Sequence, residues 1–156
     1  KTYLNMFFYF VYANICYEID KNYKKGISVW KQYNGLNLIF LATLIILFYF
    51  FTNHILSFFK INLMQFPNTI ENFRLALAIP LLTAISLPLR QLLFAFNLNK
   101  VYIKITIVMT ILNFVLLFLL TKFKGLTGSF SSIILIEFII IVLYIFVLFK
   151  NSKQTN

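Results

Sequence analysis

Residues 36–59 read LNLIFLATLIILFYFFTNHILSFF, 24 residues without a formal charge. As a helix rising ~1.5 Å per residue, such a run reaches about 36 Å, enough to cross a hydrocarbon core of ~30 Å with some tilt. Three more runs of this kind follow: 75–96, which contains Pro80, Pro88 and Arg90; 101–121; and 130–149, interrupted only by Glu137. Residues 3–17 are also apolar, but at ~1.5 Å each they cover only about 22 Å and read as the last part of an earlier span. The chain is 61% hydrophobic and 12% charged, whereas soluble domains hold roughly 45–50% and about 25%. The expected fold class is an all-α integral membrane protein with four full transmembrane helices and a partial N-terminal one. Residues 1–150 then form one transmembrane bundle and 151–156 a polar tail.

The net charge of +10 raises nucleic acid as a partner, but the 14 Lys and Arg are scattered between apolar runs, the pattern of membrane-protein loops. No nucleic-acid partner is expected. Lys21, Lys24, Lys25, Lys31, Lys100, Lys104, Lys150 and Lys153 fall on one side of the predicted spans; Lys60, Arg74, Lys122 and Lys124 fall on the other. Since positive charge is retained in the cytoplasm, the first side, the loop 20–35 and the C-terminus are expected there. The location is a multi-pass protein of the cytoplasmic (inner) membrane. The turns around Pro67 and Gly125 then face outward, and Trp30, Tyr33 and Tyr102 sit where interfacial aromatic residues belong. The run Lys21-Asn22-Tyr23-Lys24-Lys25 is suited to anionic lipid. The first residues, apolar by Met6, lack the ordered regions of a signal peptide, as expected of a chain met in mid-course.

Catalysis is not expected. Glu18 and Asp20 do not share a helix face, there is one His (His54) and one Cys (Cys16), and no glycine-rich phosphate loop occurs. No metal or cofactor is called for. The informative residues are polar groups inside apolar runs, each of which requires a partner, a wet cavity or an escape to the interface. Thr83, Ser86 and Arg90 recur at i, i+3 and i+7, one face of a helix that ends in a cation. They read either as helix-packing hydroxyls beside a snorkelling Arg or as the lining of a pathway for an anionic substrate. Thr106, Thr110 and Asn113 share a face of the next span, with Lys104 near its mouth. Interhelical hydrogen bonds and pathway lining are again the alternatives. Glu137 stands mid-span with no charged residue within a turn. It is either an interhelical hydrogen-bond partner or an ion-coupling group, since a carboxyl taken out of water holds its proton more tightly.

Several short motifs carry a resemblance. Asn72-Phe73-Arg74-Leu75, the proline-containing segment ending Leu-Arg-Gln-Leu-Leu-Phe-Ala-Phe-Asn-Leu-Asn-Lys (89–100), the helix 102–120, and Lys124-Gly125-Leu126-Thr127-Gly128-Ser129 leading to Glu137 resemble the C-terminal part of polysaccharide and O-antigen flippases. These are the Wzx-type transporters of the MATE-like multidrug/oligosaccharidyl-lipid/polysaccharide superfamily. Residues 18–31 also look like the basic cytoplasmic loop before the family's ninth helix. Two departures stand out: Asn97 occupies a position where Gly often precedes the basic turn, and Ser129-Phe130-Ser131 replaces small alanines.

The resemblance implies that the four spans are helices nine to twelve, part of one MATE-like lobe, in a transporter moving polyprenyl-pyrophosphate-linked oligosaccharide across the cytoplasmic membrane for surface polysaccharide biosynthesis. Its partners are then lipid-linked oligosaccharide, membrane lipid and the remaining helices of the full-length transporter. The pathway residues implied are Arg90, Thr83, Ser86, Asn113 and Lys104, with Glu137 for ion coupling; the Arg90 fork would suit phosphate oxygens. The alternative is a self-contained four-helix membrane subunit acting in an oligomer, as an accessory translocase or a structural partner.

Overall fold

The computed structural model describes residues 2–61 and 68–152. Among them the chain is helical throughout, with no strand: α1 (Thr2–Lys21), α2 (Tyr23–Phe50), α3 (Thr52–Phe58), α4 (Thr69–Ala76), α5 (Ala78–Ala95) and α6 (Asn99–Ser152). Three elements are long and apolar enough to cross a membrane: Tyr23–Phe50, Thr69–Ala95 and Asn99–Asn151. The partial span expected at 3–17 lies inside α1.

The expected loop 20–35 is mostly helix. Asn22 is extended (φ −157, ψ 107), and its side chain accepts a hydrogen bond from the Lys25 N–H at 3.1 Å. That N-cap satisfies a donor the first turn leaves orphaned, so α2 starts at Tyr23 and its basic first turns precede the apolar run. Gly26 brings α1 and α2 into backbone contact: a Cβ there would lie 2.6 Å from Ile19 Cα. The predicted span 36–59 covers the end of α2 and all of α3, which are separated by Phe51 (φ −91, ψ 13). At the end of α3, Ile61 N–H donates to Leu56 O (3.1 Å) and Lys60 N–H to Ser57 O (2.9 Å), with Lys60 left-handed at φ 54. This is a Schellman stop. The turn expected around Pro67 lies outside the described residues, as do Lys153 and the rest of the tail.

The predicted span 75–96 begins earlier than its apolar pattern indicates. Leu77, between α4 and α5, keeps helical angles (φ −64, ψ −22), so the two run on as a single element from Thr69. The stop of α5 falls at Asn97. Leu98 N–H donates to Leu93 O at 2.8 Å, Asn97 N–H to Phe94 O at 3.0 Å, and Asn97 has φ 58. Asparagine tolerates this left-handed position almost as glycine does, and the turn into α6 is kept.

In α6, Gly125 breaks the helix with φ 57 and ψ −135, a conformation open to glycine and strained for any residue with a Cβ. The chain reverses there. Gly128 packs against the Leu120 carbonyl, the Thr121 and Ser129 hydroxyls hydrogen-bond at 2.8 Å, and the Tyr102 and Tyr144 rings are 6.2 Å apart. The expected spans 101–121 and 130–149 are thus the two antiparallel arms of α6, and the loop 122–128 shrinks to a reversal at one residue.

Contacts gather the basic turns at one end. Tyr23 stacks on Phe96 with 5.9 Å between centroids, joining the Asn22 and Asn97 turns. Leu148, near the end of α6, packs against the core formed by Val11, Ile15, Ile19 and Leu92. Lys21, Lys24, Lys25, Lys31, Lys100, Lys104 and Lys150 therefore share one end of the bundle. At the other end, Thr127 donates to Asn72 Oδ1 at 2.7 Å and the Arg74 guanidinium lies 4.6 Å from the Tyr49 ring. Large apolar side chains such as Phe40, Phe50, Phe114, Phe118, Phe138 and Phe146 remain exposed along the shafts, a surface suited to lipid or to other apolar helices rather than water.

Candidate functional site: a polar cavity between α5 and the arms of α6

A cavity of about 490 Å³ opens between α5 and the two arms of α6, within the ~300–1,000 Å³ typical of ligand sites. From α5 it receives Thr83, Ser86 and Arg90, the stripe read from spacing. The first arm of α6 contributes Tyr102, Thr106, Thr110 and Asn113, and the second contributes Glu137 and Tyr144. Leu87, Met109, Ile133, Ile136 and Ile140 supply the apolar wall. Seven of the eight polar residues singled out in the sequence, Thr83, Ser86, Arg90, Thr106, Thr110, Asn113 and Glu137, thus line one space.

Lys104 is not among them. It is exposed, as are Val108, Ile111 and Val115 at i+4, i+7 and i+11, so its helix face points away from the cavity. Arg90 and Glu137 line the same space without an ion pair, the single pair among the described residues being Lys25 with Glu18 at 2.9 Å. Thr83 and Ser86 direct part of their bonding capacity to their own helix, Thr83 Oγ1 donating to Ile79 O at 2.9 Å and Ser86 Oγ to Thr83 O at 3.4 Å. These hydroxyls bond back to their own helix, not across to another, and also line the cavity.

Two buried atoms at the cavity have no hydrogen-bond partner in the protein, Arg90 Nε and Asn113 Oδ1. A donor and an acceptor left in this state cost roughly 1–3 kcal/mol each unless something satisfies them.

What holds Arg90 is a buried polar junction that the spacing argument missed. The Arg90 guanidinium lies 4.6 Å from the centroid of the Phe8 ring on α1, a cation–π contact. Its neighbour Gln91, only 1% exposed, donates to Phe8 O (3.2 Å) and accepts from Asn34 Nδ2 (3.1 Å). Asn34 also donates to Trp30 O at 3.0 Å, and the Trp30 indole N–H donates to Pro88 O at 3.0 Å. Three helices are tied around the α5 turn that carries Arg90, where Pro88 removes a backbone donor. The signal was present: Trp30, Asn34 and Asn37 recur at i, i+4 and i+7, a stripe hidden by treating 20–35 as a loop. Trp30, read as interfacial, is an interhelical donor. Tyr102, read the same way, lines the cavity and stands 4.8 Å from Phe94.

Comparison with protein-family models, curated proteins and solved structures returned no match.

Proposed function

We propose that this chain is part of a membrane flippase that translocates polyprenyl-pyrophosphate-linked oligosaccharide across the cytoplasmic membrane, with the α5–α6 cavity as one wall of the pathway. In this reading each arm of α6 crosses the membrane, so that α2–α3, α4–α5 and the two arms make four spans and α1 the end of another. The lysine-rich end and the C-terminus lie in the cytoplasm, by the bias of positive charge. The observation that carries the reading is that Arg90, Asn113 and Glu137, from α5 and both arms of α6, line one cavity between apolar helices. Arg90 serves phosphate or acidic-sugar oxygens through its fork of donors. Asn113, Thr106 and Thr110 serve sugar hydroxyls, and Glu137 carries the coupling ion.

The test is export of lipid-linked oligosaccharide by cells carrying Arg90→Ala or Lys104→Ala, with membrane insertion measured alongside. Arg90→Ala is expected to reduce export at normal insertion, whereas Lys104→Ala, on the outer face, leaves export near the parental level. Equal loss in both removes the pathway role. The size of the native polypeptide, detected through the 151–156 tail, distinguishes the architectures. A band about three times 18.4 kDa fits a transporter of twelve or more helices, at roughly 20 apolar residues per span plus loops; a band at 18.4 kDa favours a subunit that encloses a cavity by self-association.

A further inference from the structure

A second concavity lies on the opposite side of α5. Between α2 and α5, about 260 Å³ is lined by Leu38, Ala84, Ile85 and Leu89, together with Trp30 and Lys31. The polar cavity takes Thr83, Ser86, Leu87 and Arg90 from the same helix, so the two spaces use different α5 faces and share no lining residue. Gly35 shapes the groove: a Cβ added there meets no atom within 4 Å, so the absent side chain leaves the α2 wall open. Pro88, whose carbonyl is held by the Trp30 indole at 3.0 Å, closes the floor. The groove is therefore a fixed depression in the packing of α2 on α5.

Its charge is one-sided. Lys31 is exposed and belongs to the end that also gathers Lys24, Lys25 and Lys100; of the two acidic residues at that end, Glu18 is engaged by Lys25 and Asp20 sits on α1, across the α1–α2 turn. A short, mainly apolar groove between two helices of membrane-spanning length and composition, with the cation of Lys31 among its lining residues, is complementary to an amphiphile with one anionic head and an aliphatic tail. We propose that the α2–α5 groove binds one anionic glycerophospholipid, an acyl chain lying along Gly35, Leu38 and Ile85 and the phosphate at Lys31. This site is independent of the flippase reading, since it requires only that α2 and α5 sit in a bilayer. Its physical effect is to bridge the two helices tied by Trp30, Asn34 and Gln91, on the face away from the polar cavity.

The experiment is thermal unfolding of the detergent-solubilised, delipidated protein titrated with short-chain phosphatidylglycerol or phosphatidylcholine of equal tail length, with sn-glycerol 3-phosphate as the headgroup alone. Phosphatidylglycerol is expected to raise Tm saturably and at lower concentration than phosphatidylcholine. Lys31→Ala should weaken the phosphatidylglycerol response about fivefold, the weight of one lysine facing anionic lipid, and bring the two lipids together. Lys104→Ala, at the same end but outside the groove, should leave the response unchanged. Gly35→Phe, which fills the channel, should abolish the response to both lipids. The proposal is overturned by equal effects of Lys31→Ala and Lys104→Ala, which means diffuse surface charge, or by a full response to glycerol phosphate alone, which means a headgroup without a groove. If Gly35→Phe does not fold, the Lys31 and Lys104 pair still decides the matter. None of these outcomes bears on oligosaccharide export, so this site and the transport role stand or fall separately.

Discussion

Replacing Gly128 with alanine tests the reversal on which the cavity depends. A Cβ at this position overlaps the carbonyl oxygen and carbon of Leu120 and comes within 3.0 Å of Thr121 N. All three are backbone atoms inside the first arm of α6, so no side-chain rotation relieves the clash. Since carbon contacts settle near 3.5–4.0 Å, the two arms must part by ~1 Å or more at their closest point. Overpacking of this kind costs typically 1–3 kcal/mol, and for a chain of this size each kcal/mol moves Tm by about 2–4 °C. A fall of roughly 2–12 °C is expected, measured as the fraction of detergent-solubilised protein that stays monodisperse after heating. Gly35→Ala is the internal control. It lies within α2 with open space beside it, and alanine is favoured over glycine in a helix by ~1 kcal/mol, so Tm should hold or rise. A second readout follows the far end of the hairpin, where the Tyr102 and Tyr144 rings are 6.2 Å apart. Tyr102→Cys with Tyr144→Cys, in a Cys16→Ser background, should crosslink with a short reagent, more slowly once Gly128→Ala is added. An unchanged Tm for Gly128→Ala with unaltered crosslinking refutes the closely apposed arms.

Two further outcomes are expected. Gln91→Ala removes the bonds to Phe8 O and Asn34 Nδ2 and should lower stability by about 1–2 kcal/mol, at ~0.6 kcal/mol or more for each interhelical bond plus the cavity left behind, whereas Trp30→Phe, which loses a single donor to Pro88, should cost less than half as much; thermal unfolding of the two variants side by side checks the order. Under the proposed transport role, Glu137→Gln is expected to reduce export at normal membrane insertion because the residue lines the cavity, and export at the parental level removes Glu137 from the pathway.

Groups carried on one helix face were legible in the sequence because a period of 3.6 residues fixes their mutual direction without any knowledge of the partners. Thr83, Ser86 and Arg90 were found this way, and the same rule rejects Lys104 once its face is followed through Val108, Ile111 and Val115. The segregation of basic residues was equally readable, because turns alternate between two ends whatever the packing angles. Less legible is the start of α2, where lysines compatible with a helical first turn also fit loop composition; the capping asparagine at position 22 is the local signal that decides it.

What one helix owes another requires register, and register here comes from Gly125. A reversal centred on one residue sets positions equidistant from it at the same level of the two arms. Thr121 and Ser129 stand four residues either side of Gly125 and their hydroxyls meet at 2.8 Å. Asn113 and Glu137 stand twelve residues either side, and both line the cavity. Reducing the turn 122–128 to its glycine puts the amide and the carboxyl at a similar level of the two arms. Arg90 escapes this arithmetic, since α5 enters α6 through the Asn97 stop and its rotation is set by the junction of Trp30, Asn34 and Gln91. The cavity thus rests on two devices: a reversal that brings Asn113 and Glu137 to one space, and a three-helix polar tie around the α5 turn that carries Arg90.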